Sequence, residues 1–324
     1  MPLTASEIQQ ALPLWGAVDG GSAQLINVSE NQTFLIEAVN GAQFILRVHR
    51  VGYQTRAAIE SELAWIAALG AQTDLPISEA VAGRDGQELQ SFVASDGLPR
   101  LAALFHYIAG REPSIGDDLT GVFRKLGVYA ATMHAHSLAW PRSAGFERPV
   151  LNAAAILDAD GSWGDWRVAP GVDAGAHVVL SRLDVALRER LALYGTAPER
   201  FGLIHGDMRL GNLLVDGERL ALIDFDDSGI GWFAYDFAAS ISFHETSPVV
   251  PALRAAWLEG YRTARDFGEE DVAAIDAMVM LRRMALLAWM GSHHETKLAQ
   301  THVDGYAAGT VALAERFLNG ALWP

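Results

Sequence analysis

A chain of 324 residues, half of them hydrophobic, is long enough for two lobes rather than one small core. Its 24 Lys+Arg against 39 Asp+Glu give a net charge of -15 with no basic cluster, which excludes nucleic acid and anionic membrane surfaces as expected partners. With no cysteine, disulfides, a thiolate nucleophile and Cys-ligated zinc are excluded, and a cytoplasmic location is expected.

The N-terminal residues lack a basic leader, and no signal peptide is expected. Gln32 to Val39, Asn40-Gly41 and Ala42 to His49 spell a hairpin of β-rich runs around a two-residue turn. Arg56 to Leu69 carries Ile59, Leu63 and Ile66 on one face and predicts a helix stopped by Gly70. Leu75 to Ile77, Glu79 to Ala82 and Glu88 to Val93 predict short strands, the last two joined at Asp85-Gly86. From Leu101 the pattern changes. Helices are predicted over Asp117 to His136, Val178 to Tyr194, Trp232 to His244, Val250 to Arg265, Glu270 to Lys297 and Thr301 to Leu318. The most apolar helical stretch, Met278 to Met290, is interrupted by Arg282 and Arg283, so no membrane span is expected. The division expected is residues 1–104 and 105–324, with a hinge near Leu104 to Gly110.

The chemistry concentrates in Leu203-Ile-His-Gly-Asp-Met-Arg-Leu-Gly-Asn-Leu-Leu-Val215 and Leu220-Ala-Leu-Ile-Asp-Phe-Asp-Asp227. Asp207, Asn212 five residues on, and Asp224 at the end of an apolar run supply a base for a hydroxyl and two hard oxygen ligands for Mg²⁺. Leu213 to Val215, the turn Asp216-Gly217 and Leu220 to Ile223 predict a hairpin that returns Asp224 beside Asn212. The spacing is that of a kinase catalytic loop, with Gly206 in place of its arginine.

Through these residues the chain resembles the aminoglycoside phosphotransferase and choline-kinase-like family of the protein-kinase fold, whose loop reads H-G-D-x-x-x-x-N followed by I-D-F/W. The stretch from His205 to Phe237 is most similar to the branch of type II homoserine kinase-like and stress-response-kinase-like proteins. The resemblance implies an α+β, bilobal fold, with an N-terminal antiparallel sheet plus helix and a mainly helical C-terminal lobe. It implies ATP as donor, Mg²⁺ held by Asn212 and Asp224, Asp207 as base, His205 as a structural residue and Asp236 as a brace for the loop. By the same likeness Arg47 takes the place of the strand lysine that grips the donor phosphates. Glu62 is its helix partner, with Glu60 as competitor. Ser29-Glu-Asn-Gln-Thr33, through Ser29 and Asn31, resembles the phosphate-covering loop without its glycines. Leu104-Phe-His-Tyr107, with Phe105 and Tyr107, resembles the adenine-binding hinge.

Only about a dozen residues separate Asp224 from Asp236, and no Ala-Pro-Glu follows. That leaves little platform for a peptide, so the expected acceptor is a small hydroxylated molecule: an amino acid, amino alcohol or aminoglycoside. Asp226, Asp227 and Trp232 are expected to hold its amine by charge and cation–π contact. A protein Ser/Thr kinase of the stress-response type and a non-catalytic nucleotide-binding module are the alternatives. Gly229-Ile-Gly-Trp-Phe-Ala234 spells a dinucleotide fingerprint but lacks its context. His134 and His136 are two apart and do not share a helix face, so packing is expected of them rather than metal. His293, His294 and Glu295 read as a helix end, and Trp163 and Trp166 as a lid, substrate wall or packing residues.

Overall fold

In the computed structural model, which describes residues 3–29, 31–320 and 322–323, eleven strands and ten α-helices follow in chain order among the described residues. They begin with α1 (Ala5–Ala11), β1 (Ser22–Val28), β2 (Gln32–Glu37), β3 (Gln43–Val48), α2 (Arg56–Gln72), β4 (Ala80–Val81), β5 (Leu89–Val93) and β6 (Pro99–His106). Then come α3 (Thr120–Ala139), β7 (Val150–Leu151), α4 (Ala153–Leu157), α5 (Ala174–Tyr194), β8 (Phe201–Ile204), β9 (Leu213–Asp216), β10 (Arg219–Leu222) and β11 (Gly229–Trp232). The last are α6 (Tyr235–Ser240), α7 (Val250–Ala264), α8 (Glu269–Ser292), α9 (Lys297–His302) and α10 (Tyr306–Leu318). No helix among the described residues is long and apolar enough to cross a membrane.

The chain divides into two units. One comprises Met1–Arg111, Pro141–Arg148 and Leu214–Asp226; the other comprises Glu112–Trp140, Pro149–Leu213 and Asp227–Pro324. This differs from a contiguous split after residue 104. β6 runs on to His106, and Arg111 and Leu222 tie the β9–β10 hairpin to the first unit through Val215 and Ile77. Residues 141–148 return to α2, where Glu147 N donates to Ser61 Oγ at 2.9 Å.

In the first unit the sheet order is β1-β2-β3-β6-β4, with β5 on β6. Alternation along β3 sends Phe44, Leu46 and Val48 into an apolar cluster with Ile8, Trp15 and Phe34. The same alternation turns Arg47 to the opposite face. The β2–β3 connection is a three-residue loop, not the two-residue turn expected. Gly41 N bonds Ala38 O at 2.9 Å, Ala38 N bonds Ala42 O at 2.8 Å, and Gly41 takes φ 81°, a type I turn closed by a left-handed glycine. Helix α2 passes through Gly70 instead of stopping there, and the Glu79 carboxylate packs where a Cβ at Gly70 would lie, 2.5 Å away. Glycine is kept there for close packing.

In the second unit β7, β11 and β8 form a small sheet, beside which α3 packs along α7. Trp232, expected to start a helix, ends β11 opposite Phe201. The glycines of the false dinucleotide fingerprint are packing residues: a Cβ at Gly229 would meet Pro149 O at 2.7 Å. The helix expected through Lys297 stops at Ser292, and Lys297 opens α9. Where α3 crosses α7 the backbones touch, and a Cβ on Gly260 would sit 1.8 Å from Arg124 O. Gly260→Ala is therefore expected to lower unfolding stability by about 1–3 kcal/mol or more despite alanine's higher helix propensity, measured by denaturant titration.

Candidate active site

In the first unit a buried ion cluster forms on the face of β3 opposite its apolar cluster. Arg47 is held by register between Thr33 of β2 and Ala103 of β6. Its guanidinium reaches Glu62 Oε1 at 2.6 Å, Asp224 Oδ1 at 3.1 Å and Asp226 Oδ1 at 3.9 Å, and lies 5.0 Å from the Phe105 ring. Glu62 is fully buried and is the helix partner; Glu60 is exposed and pairs with Arg56 instead. Burial raises the Glu62 carboxyl, and the Arg47 charge only partly offsets it. Desolvation opposes the charge on Arg47, but Glu62, Asp226 and Asp224 raise its pKa above the ordinary value.

Asp226 belongs to this cluster. Asn31 Nδ2 donates to its Oδ2 at 2.8 Å, Gln54 Nε2 donates to both its Oδ1 and its carbonyl at 3.0 Å, and Arg148 donates to its carbonyl. Burial pushes this carboxyl up, but Arg47 and Arg148 hold it below its ordinary value. Its expected role on an acceptor amine is not where the structure commits it, since these donors occupy both oxygens. Asp224, by contrast, keeps its side chain 47% exposed and takes φ 65°, a left-handed conformation that costs a non-glycine residue of order 1–3 kcal/mol.

The second unit holds Asp207 in a loop fixed from below. The Asp236 carboxylate, at the start of α6, accepts from Gly206 N at 2.8 Å and His205 N at 3.2 Å. His134 of α3 contacts the same carboxylate through Nε2 at 3.0 Å and Tyr261 Oη through Nδ1 at 2.9 Å. Desolvation keeps His134 neutral, and since a carboxylate only accepts, its proton sits on Nε2. His205 is buried, and its Nδ1 accepts from Asp207 N at 3.2 Å. Gly206 is required by φ 78° and by Asp227 O, which a Cβ would meet at 2.7 Å. An arginine at this position, as in the protein-kinase loop, would not fit.

Asp207 itself is nearly buried. Asn212 Nδ2 donates to its Oδ2 at 2.7 Å and to its carbonyl at 2.8 Å. Arg209 Nε donates to Oδ2 at 3.2 Å, and Arg282 of α8 donates to Oδ1. Burial raises the Asp207 carboxyl, but Arg282 and Arg209 more than offset it, leaving the pKa below the ordinary 3.8. Arg282 is anchored by Ser242 Oγ at 3.0 Å and lies 5.8 Å from the Trp163 ring and 5.9 Å from the Tyr235 ring. Burial opposes its charge, but Tyr235, Asp207 and, less strongly, Asp227 raise its pKa above the ordinary value.

Other expected residues fall as follows. Ser29 N bonds Asn31 O at 2.9 Å; Glu30 of the same loop lies outside the described residues. Phe105 is buried beside Arg47 and Tyr107 is 42% exposed. The intervening His106 has its N–H on Glu79 O and its carbonyl on Ser78 Oγ. Trp232 donates to Gly195 O at 2.7 Å and meets Phe201 edge-on, which makes it a core packing residue.

The sequence profile described as phosphotransferase enzyme family matches residues 23–274. An uncharacterised protein of Synechocystis sp. is 28% identical over 236 residues, 72% of this chain and 63% of that protein, so the match spans less than two thirds of that relative's length. The structure of a microcompartment-associated aminopropanol kinase is similar at a TM-score of 0.88 and 40% identity, over 98% of both chains. That of an amicoumacin kinase in complex with AMP-PNP, Ca²⁺ and Ami is similar at a TM-score of 0.76 and 18% identity, over 98% of this chain and 94% of that one, a likeness of fold.

Proposed function

This chain belongs to the phosphotransferase enzyme family, and from that membership we propose that it moves the γ-phosphoryl group of ATP to the hydroxyl of a small amino alcohol. It is a kinase of α+β, protein-kinase-like fold with an alcohol group as acceptor. The observation that carries the mechanism is Asp207, a nearly buried carboxylate kept ionised by Arg282 and Arg209 in a loop braced by Asp236. The 40% identity to an aminopropanol kinase supports an amino alcohol over the amino-acid and aminoglycoside classes.

Of the roughly four lone-pair sites on a carboxylate, Asp207 gives two on Oδ2 to Arg209 and Asn212 and one on Oδ1 to Arg282. The remaining site on Oδ1 accepts the acceptor's O–H. As its oxygen bonds to the γ-phosphorus, the hydroxyl proton passes to Asp207, the bond to the bridging oxygen breaks and ADP leaves. In a loose transition state the hydroxyl becomes acidic only late, so positioning matters more than basicity and a low carboxylate pKa is no handicap. Arg47, fixed by Glu62, holds the donor phosphates, and Asp227 receives the substrate ammonium.

Asn212 and Asp224 fit Mg²⁺ by chemistry. The Asn212 amide nitrogen is spent on Asp207, which leaves its carbonyl oxygen as the ligand, and the exposed Asp224 supplies a carboxylate. Among the described residues no group of three or more acidic, histidine or cysteine side chains could by itself hold a metal ion. Bound there, Mg²⁺ would neutralise charge on the phosphates. ATP as donor is supported by the ATP analogue in the amicoumacin kinase of this fold.

The test is ADP release with Mg²⁺ and ATP across a panel of amino alcohols, amino acids and aminoglycosides. Saturable stimulation by 1-amino-2-propanol or ethanolamine is expected. Stimulation by none, with phosphorylation of a generic protein, would favour the protein kinase; ATP binding without turnover would favour the non-catalytic module.

A further inference from the structure

A cavity of about 320 Å³ opens in the first unit between the Arg50–Tyr53 turn, α2, and strands β5 and β6. It is at the small end of ligand sites, and the phosphoryl-transfer mechanism uses none of its walls. We propose that this cavity binds a small organic anion with a short apolar body, a phosphate monoester or carboxylate, and that its occupancy tunes the ion cluster around Arg47.

The lining divides by chemistry. Val51, Ile59, Pro99 and Leu101 give an apolar wall, while Arg50 and Arg56 bring guanidinium groups and Ser91 a hydroxyl. His49, 5% exposed, also lines it. Neither of its ring nitrogens is hydrogen-bonded to any described residue. A neutral imidazole carries one donor and one acceptor, and leaving both unmade in a buried place is unfavourable. An anion seated between the arginines would accept the ring N–H. The lining thus combines two cationic side chains, an apolar wall and a buried imidazole, the chemistry that suits an amphipathic anion.

The cavity is wired to Arg47 by two contacts. Gln54, on its wall, donates to Asp226 at 3.0 Å, and His49 Nδ1 lies 3.9 Å from the same carboxylate. Helix α2, which contributes Arg56 and Ile59 to the cavity, also carries Glu62, the 2.6 Å partner of Arg47. A ligand that draws His49 and α2 together acts on both supports of the guanidinium. Because the binding arm below needs no turnover, failure of the kinase reading leaves it interpretable.

The probes are phenyl phosphate and benzoate, with phenol as the neutral control, titrated by calorimetry into the full chain with Mg²⁺ and saturating AMP-PNP so that the donor site is already filled. One or both anions are expected to bind saturably at one site, and phenol not to bind; which anion binds more tightly assigns phosphate or carboxylate. Ser91→Trp, which fills the cavity from an exposed strand position, is expected to weaken binding by about tenfold or more. Arg56→Gln, on the exposed face of α2, should weaken it about threefold and serves if Ser91→Trp melts early. The anion should also shift the wild-type KM for ATP by roughly twofold or more, a shift lost in the weakened variants. No saturable binding with AMP-PNP present, or equal binding to both variants, would overturn the site; binding without a KM shift would overturn the coupling.

Discussion

Asp207→Asn is expected to lower kcat by about 10²- to 10⁴-fold, the usual contribution of a positioned base, while KM for ATP changes little. The amide matches the carboxylate in shape but cannot take the hydroxyl proton. The fold must be checked separately, because the substitution removes the paired carboxylate of Arg282, nearly buried on α8. Removing one member of a buried pair commonly costs about 3–5 kcal/mol. The double variant Asp207→Asn with Arg282→Met separates the effects: stability should recover relative to Asp207→Asn alone, whereas turnover should not. Unfolding midpoints and single-turnover rates on the same preparations measure both. Turnover within a few-fold of wild type in the single variant would remove Asp207 from the chemistry.

Arg282→Met should reduce kcat by about 10²-fold through mispositioning of the base and should also change the pH profile. In the native protein burial pushes the Asp207 carboxyl up and Arg282 and Arg209 hold it below 3.8. Without Arg282 its pKa rises, so the acid limb of kcat/KM should move to higher pH. A merely structural arginine would lower activity without moving that limb. The stability effect has a definite sign. A depressed carboxylate pKa contributes stability that is present above 3.8 and is lost as pH falls through the lower folded value. The variant's deficit should therefore be largest at neutral pH and shrink in acid. Arg282→Lys keeps the charge without the planar fork and should restore the acid limb more fully than kcat.

The parts of this site written in local sequence were legible. The spacing of His205, Asp207 and Asn212 sets the three in one candidate loop, where Asn212 bonds Asp207, and β alternation puts Arg47 on the helix-facing side of β3. The parts assembled by tertiary contact were not. Arg282 is 75 residues from Asp207 in sequence, inside a helix whose apolar run it merely seems to interrupt by composition. The signal was there, since two arginines within so apolar a segment must find partners when buried. Arg282 finds Asp207, and Arg283 finds Glu245. Asp226 reads as a second acidic residue beside Asp227; only the return of residues 31, 54 and 148 onto one carboxylate assigns it to the Arg47 cluster. Strand β11 was misread because Gly-Ile-Gly-Trp carries glycine for close backbone approach, which imitates a turn. Strand β1 was missed because its exposed residues give no clean alternation.

The proposed activity is phosphorylation of a small amino alcohol on oxygen, with Asp207 as base. Phosphorus NMR of a reaction with Mg²⁺, ATP and 1-amino-2-propanol tests it most directly. A phosphate monoester resonance that grows in step with ADP and is absent with Asp207→Asn is expected. ADP formed with inorganic phosphate alone, a phosphoramidate signal, or an ester formed equally well by Asp207→Asn would contradict it.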